Sequence, residues 1–431
     1  MLGRRSLITC LGGLTACTLT RDSPPALTSR LRLSNAVEPA GDAELEASLQ
    51  SLVSDDPFAP IGAVLRKLDR GEKARALVMI LGDSHSAGPV LSERLRELFQ
   101  GRFGGIGPGR FAPGRAQRFF NPSAMTLRQE GDWVARNALR ATPSGPFGLT
   151  GYRLTGQRSG DWISLRSNDP EGFDRFWITL AFGPEGGSFR FHLDGWEGET
   201  ASTREGTPRL HAFRMGVPPR SREIRIELAG DGPVEILSWG VDRRGRGVLV
   251  EAFGINGATV NTLDYRDASL LARELAVAPP ALLVLEYGTN EATDRDLDPA
   301  AYNATLTRHV QRLKGILPRT GILLMGVPDA ARPGRRRGSA CGGALAPLPS
   351  LAVVREAQRK VARVERIGHF DWAAEVTGGL CRLPLLASGG PAALMRPDLV
   401  HFTPDGYRLT AERLYAHILR GAGLERHPPP A

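Results

Sequence analysis

Ala76-Leu77-Val78-Met79-Ile80-Leu81-Gly82-Asp83-Ser84-His85-Ser86 runs from an uninterrupted apolar stretch into a glycine and a serine. A short apolar run without alternation is the pattern of a strand covered on both faces. Just beyond it, residues 89–100 place Val90, Leu91, Leu95, Leu98 and Phe99 at helical spacing. Ser84 is therefore expected in a strand-to-helix turn, at the strand end where α/β proteins assemble their sites. Far along the chain, Asp398-Leu399-Val400-His401 brings an imidazole and a carboxylate. A serine hydroxyl is protonated at neutral pH and needs a histidine to take its proton as it attacks. The histidine in turn needs a carboxylate to fix its tautomer and favour the imidazolium. Ser84, His401 and Asp398 are the minimum set for covalent acyl transfer.

The strand signal recurs at residues 248–253, 281–287, 321–327 and 367–372, and helices are expected at 61–70, 260–275, 300–317 and 351–366. A last helix opens at Thr403-Pro404, with threonine as N-cap and proline at the first helical position, and continues through Tyr407, Leu409, Leu414 and Ile418. Five strands alternating with helices predict an α/β fold, a three-layer, doubly wound parallel sheet. Between its first two strands the texture changes. Residues 101–114 are dense in glycine, and 119–242 carries frequent turn signals around strand-like segments at 176–180, 188–193, 223–228 and 234–239. An inserted all-β sandwich is expected there.

Two more fragments stand at strand ends: Gly254-Ile255-Asn256-Gly257-Ala258 and Gly288-Thr289-Asn290-Glu291. Negative charge develops on a carbonyl oxygen as a serine attacks, and N–H donors must be waiting for it. The Ser84 amide, a glycine amide and an asparagine side chain supply three. Glycine suits the task because no Cβ keeps its backbone from the substrate. Serine, glycine, asparagine and histidine in this order resemble the SGNH hydrolases, a branch of the GDSL esterases. The resemblance implies Ser84 as nucleophile, His401 as base oriented by Asp398, and Gly257 and Asn290 beside the Ser84 amide as the oxyanion hole. Gly254, three residues upstream, competes with Gly257 for that role.

Residues 82–88, 103–109, 288–292 and 398–407 look, in addition, like the bacterial peptidoglycan O-acetylesterases, which carry a sandwich resembling carbohydrate-binding modules after the nucleophile helix. This likeness covers most of 76–420 and implies removal of acetyl from the C6 hydroxyl of N-acetylmuramic acid, with no metal or organic cofactor. The partner would be an acetylated cell-wall polysaccharide. It implies a hydrolase domain in two parts, 61–112 and 246–431, around an insert at 113–245. His85 adjoins the nucleophile, but neighbouring side chains on a turn diverge, so it is not assigned as the base.

Arg4-Arg5, the apolar 7–14 and the ending Leu14-Thr15-Ala16-Cys17 have the parts of an export signal, 1–17, and the last four resemble a lipobox. Cys17 is then the lipidation site, residues 18–60 a tether, and the protein is exported to the periplasmic face of a bacterial membrane, held by a lipid anchor. With Cys10 removed and Cys17 acylated, Cys341 and Cys381 remain, either as a disulfide in that oxidising compartment or as two buried thiols. Cys-x-x-Cys is absent and His369 is a lone histidine on a strand, which argues against a metal site.

The net charge of +9 is carried almost wholly by arginine, and no nucleic-acid-binding motif accompanies it. Arg335-Arg336-Arg337 reads as a solvated loop, and Trp133, Tyr152, Trp162, Trp177 and Trp196 read as sandwich core before sugar platforms. The same motifs also fit an acetyltransferase, a lipase or a thioesterase. A non-catalytic wall-binding lipoprotein fits less well, because Ser84, Asn290, Asp398 and His401 are all in place.

Overall fold

The computed structural model describes residues 54–117, 120–139, 145, 147–333, 341 and 345–425. The leader with Cys17, the tether up to residue 53, and Arg335-Arg336-Arg337 lie outside the described residues.

Five parallel strands form the central sheet: β1 (Arg75–Gly82), β2 (Gly247–Gly254), β3 (Leu282–Glu286), β4 (Gly321–Met325) and β5 (Gly368–Phe370). Their order across the sheet is β2-β1-β3-β4-β5. All eight residues of β1 are buried, as a strand covered on both faces must be. Alternate side chains of β1 serve opposite layers. Leu77, Met79 and Leu81 pack with Leu271, Leu275, Leu306, Val310, Val354 and Val361, from helices α3 (Ala268–Val277), α4 (Pro299–Ile316) and α5 (Leu351–Val364). Ala76, Val78 and Ile80 face the other way, onto Val64, Leu68, Leu95, Phe99, Leu414 and Ile418 of α1 (Ala59–Asp69), α2 (Pro89–Phe103) and α6 (Pro404–Gly421). The three-layer, doubly wound α/β architecture is thus the one the sequence pattern predicts.

One helix departs from expectation. The segment read as a single helix over 260–275 is a 3-10 turn, Val260–Tyr265, followed by α3. Arg266 breaks it with an extended ψ of 133°, and Asp267 restarts it by accepting from Leu270 N at 2.7 Å. Arg266 is buried and spends its Nε on the carbonyl of Leu149, so tertiary contact overrides the helical pattern.

Between β1 and β2 the chain builds two antiparallel sheets. One orders the strands Arg209–Ser221, Phe173–Phe182, Val234–Asp242, Tyr152–Gly156 and Trp133–Asn137; the short strand Gly109–Phe111 also pairs with Val234–Asp242. The other orders Met125–Glu130, Trp162–Ser167, Glu223–Leu228, Ser188–Leu193 and Trp196–Ser202. Phe176, Ile178 and Leu180 of the first meet Ile163, Leu165, Phe189, Phe191, Ile224 and Ile226 of the second in one core. Tyr152 and Trp177 are buried, whereas Trp133, Trp162 and Trp196 are half-buried and Trp162 lies under the Arg225 guanidinium.

Buried ion pairs lock the insert to the parallel sheet. Arg110 donates to both oxygens of Glu251 on β2, and Asp242 accepts from Arg75 on β1 and Arg175 of the insert. Glu274 on α3 accepts from Thr179 and from the amide of Leu149. Removing one member of such a set strands a charge without water. Cys341 and Cys381 are joined in a disulfide, which ties the segment after β4 to the one after β5.

Candidate active site

The nucleophile turn is held by an acid. Asp83 N–H donates to Glu286 at the end of β3, to its Oε2 at 3.1 Å, and Ser86 Oγ donates to the same oxygen at 2.9 Å. Asp83 Oδ1 accepts from His85 N at 2.9 Å and so caps the short helix Ser84–Ala87. Gly82 is obligatory here: a Cβ would lie 2.4 Å from Glu286 Oε2 and 2.4 Å from Ser86 Oγ. Burial pushes the Asp83 carboxyl up to about 6 and the Glu286 carboxyl well above its ordinary range, with the Asp83 charge adding to the push on Glu286.

The second half of the site is a tight turn. Leu399, at φ +57°, lets the chain double back between Asp398 and His401. Asp398 Oδ1 accepts from the amides of Val400 and His401, both at 2.9 Å, and Oδ2 sits 2.8 Å from His401 Nδ1. Partial burial raises the Asp398 pKa, but the hydrogen bonds from His401 and Val400 outweigh it and hold the carboxyl below its ordinary value. An ionised carboxylate only accepts, so Nδ1 carries the proton. Nε2 is then free to accept from Ser84 Oγ, 3.0 Å away. Thr403 caps α6 by accepting from Gly406 N, and Pro404 fills its first turn, as the sequence indicates. Ser84, His401 and Asp398 are thus brought together over a distance of 317 residues between the hydroxyl and the imidazole.

The loop after β2 brings Gly257 to the same cleft. Its φ of +82° favours glycine, the space beside its Cα is open, and it lines the cleft with Asn256 and Asn290. Gly254 stays in β2, where a Cβ would lie 2.3 Å from Ala87 N; it is not among the residues that line the cleft. Asn290 Nδ2 donates to Ala258 O at 2.8 Å, which orients the amide and leaves its other hydrogen to donate elsewhere. Glu291 Oε1 accepts from Val260 N at 2.7 Å and pins the same loop, with burial pushing its own carboxyl up to about 7. The cleft has a volume of about 550 Å³ and is also lined by Val90, Leu91, Arg396 and Tyr407.

His85 also lines the cleft, with its ring 5.4 Å from that of His401, but its Nδ1 is directed to Tyr407. It is buried, with Nδ1 3.1 Å from Tyr407 Oη and its ring against Trp372 at 5.0 Å. Burial drives its pKa from 6.5 down to about 3, helped by the neighbouring His401. Between those two values the unfolded chain holds a proton that the native one does not, so stability present above 6.5 is lost as pH falls toward 3. Asp83 and Glu286, with raised values, act in the opposite sense. His85→Gln is therefore expected to flatten the acid limb of stability by up to about 1.4 kcal/mol per pH unit. Urea midpoints of both proteins at about pH 7 and about pH 5 measure it, and parallel losses would refute the burial argument.

Glu286, which holds the nucleophile turn, is a residue that the sequence motifs did not single out. A glutamate ending an apolar strand was the one visible signal.

Residues 227–409 match the family model of the GDSL-like lipase/acylhydrolase family, a span that contains Gly257, Asn290, Asp398 and His401 but not Ser84. A solved peptidoglycan O-acetylesterase superposes with a TM-score of 0.70 at 23% identity, over 86% of this chain and 99% of that one. A family two carbohydrate esterase from Clostridium thermocellum, solved with cellohexaose, matches at 12% identity over 68% and 100% of the two chains, with a TM-score of 0.28. The salicylyl-acyltransferase SsfX3 of a tetracycline biosynthetic pathway matches at 16% over 73% and 97%, with a TM-score of 0.32. No curated protein matches the chain.

Proposed function

We propose that this carboxylic ester hydrolase, built on a GDSL/SGNH acylhydrolase domain, removes O-acetyl groups from a cell-wall carbohydrate, with the C6 acetyl of N-acetylmuramic acid as its substrate. The observation that carries the reading is the chain Asp398–His401–Ser84, at 2.8 and 3.0 Å, facing the cleft where Gly257 and Asn290 converge. Ser84 Oγ attacks the acetyl carbonyl while its proton passes to His401 Nε2. The oxyanion takes hydrogen bonds from the Ser84 and Gly257 amides and Asn290 Nδ2. Collapse of this intermediate breaks the bond to the sugar oxygen, which leaves with the proton from His401. A water molecule, deprotonated by the same imidazole, then releases acetate and restores Ser84.

The choice of a wall glycan is supported by likeness to the peptidoglycan O-acetylesterase along nearly all of that protein's length, and by a leader suited to export and lipidation at Cys17. On this reading the enzyme works at the periplasmic face of the membrane.

Nitrophenyl acetate, butyrate and octanoate test the acyl specificity. Each methylene that a pocket accepts is worth roughly 1–3 kcal/mol, whereas one it cannot accept is rejected by clash. The rate is expected to fall sharply from acetyl to octanoyl, and acetylated wall fragments should release free acetate. A rate rising with chain length would replace the reading by a lipase or thioesterase. Faster acetyl transfer to added sugar than to water would replace it by a transferase.

A further inference from the structure

Arg396 stands at the cleft that holds Ser84, Gly257, Asn290 and His401, and its place there is fixed by the turn that carries the acid and the base. Its N–H donates to His401 O at 2.8 Å, and its carbonyl accepts from Leu399 N at 3.0 Å. Its Nε donates to Phe402 O at 3.3 Å. Among the described residues, no carboxylate lies within ion-pair distance of its guanidinium, and the two terminal amino groups make no hydrogen bond. The acids of the site itself are spoken for. Asp398 is taken by His401, and Asp83 and Glu286 are buried with partners beneath the nucleophile. Arg396 is thus the one permanently charged side chain among the described residues lining the cleft.

Which side of the ester it faces follows from the chemistry. The departing sugar oxygen must collect its proton from His401, so the leaving alcohol lies on the His401 side of the scissile bond. Arg396 belongs to the same turn. The oxyanion, the other negative charge of the reaction, is met on the opposite side by Gly257 and Asn290.

We infer that Arg396 binds a carboxylate carried by the acetylated glycan on its leaving-alcohol side, and so makes the enzyme selective for acidic, carboxylate-bearing acetyl sugars. The planar fork of a guanidinium meets a carboxylate with two parallel hydrogen bonds, which a point charge cannot do. The inference rests on the glycan esterase reading. The carboxylate has two sources in a wall polymer: the lactyl group of the sugar when no peptide is attached, or the acidic residues of an attached stem peptide.

The test compares wild type, Arg396→Gln and Arg396→Lys on C6-acetylated N-acetylmuramic acid, its lactyl N-methylamide, an acetylated fragment bearing a stem peptide, and nitrophenyl acetate. Arg396→Gln is expected to lower kcat/KM on the free acid by roughly ten- to a hundred-fold, mainly through KM. It should change the neutral amide and nitrophenyl acetate by no more than about two-fold, as for a group that touches neither acyl carbon nor oxyanion. Arg396→Lys should recover part of the loss. If the free acid alone depends on Arg396, the lactyl group is the ligand; if the peptide-bearing fragment depends on it as well, the peptide supplies the carboxylate. Equal turnover of the acid and the amide by wild type, with turnover of the peptide-bearing fragment unchanged by Arg396→Gln, would overturn the inference while leaving the esterase reading intact. An equal loss on nitrophenyl acetate would overturn it too, by showing that Arg396 only braces the turn. Failure of wild type on every acetyl sugar, with nitrophenyl acetate still cleaved, would remove the glycan reading and this inference together.

Discussion

His401→Ala is expected to lower kcat for acetyl-ester hydrolysis on the order of 10⁴-fold or more while the protein stays folded. His401 Nε2 lies 3.0 Å from Ser84 Oγ, and on the proposed mechanism a hydroxyl without that base is a poor nucleophile at neutral pH. The side chain is half-exposed on a turn ahead of α6, so its removal leaves no cavity in either core. Ser84→Ala should cost as much, and the double variant no more than either single one, because the two groups act as a unit. His85→Ala is the control. Its imidazole sits among Trp372, Phe402 and Tyr407, so its loss should appear first in the melting temperature. A dead His85→Ala beside an active His401→Ala would reverse the assignment of the base.

That the Asp398–His401 pair is readable in the sequence reflects where side-chain chemistry and local structure coincide. Asp398 and His401 lie three residues apart, and the capping pair Thr403-Pro404 announces the helix behind them. The strands of the parallel sheet are legible for a similar reason. Helices cover both faces of β1, β3 and β4, so their burial is unbroken and the apolar run is its direct record. The sandwich is only half legible. Glu223–Leu228 alternates buried and half-buried residues along its length, and its pattern survives in the sequence. Met125–Glu130, Trp133–Asn137 and Trp196–Ser202 stand at sheet edges with few buried side chains, so polar residues erase the period.

The acids that hold the site were hidden for a different reason. Glu286 meets Asp83 across 203 residues, and Glu251 meets Arg110 across 141. In sequence each is an ordinary glutamate near an apolar run. The parallel pairing of β1 with β3 brings Glu286 to Asp83, and the packing of Gly109–Phe111 against β2 brings Arg110 to Glu251; only with these partners is the burial tolerable. The choice between Gly254 and Gly257 is likewise spatial: both follow a strand, but one is pressed against the nucleophile helix and the other opens onto the cleft.

Asn290→Ala should then separate a donor from a spacer, with kcat falling roughly 10²–10³-fold and KM little changed. The oxyanion exists only in the transition state, so a group that meets it contributes little to ground-state binding. Asn290 has a second task, since its Nδ2 also holds Ala258 O and with it the loop bearing Gly257. The two tasks differ in their signature. A lost donor lowers kcat at unchanged melting temperature, and Asn290→Asp, which has no N–H to offer, should be as poor as alanine. A lost brace instead frees the 254–260 loop, although Ile255 N still donates to Gly82 O and Val260 N to Glu291. Those two bonds anchor the loop at both ends, so the melting temperature should move little. An Asn290→Ala enzyme with near-normal kcat would take Asn290 out of the oxyanion hole and leave the Ser84 and Gly257 amides as its donors.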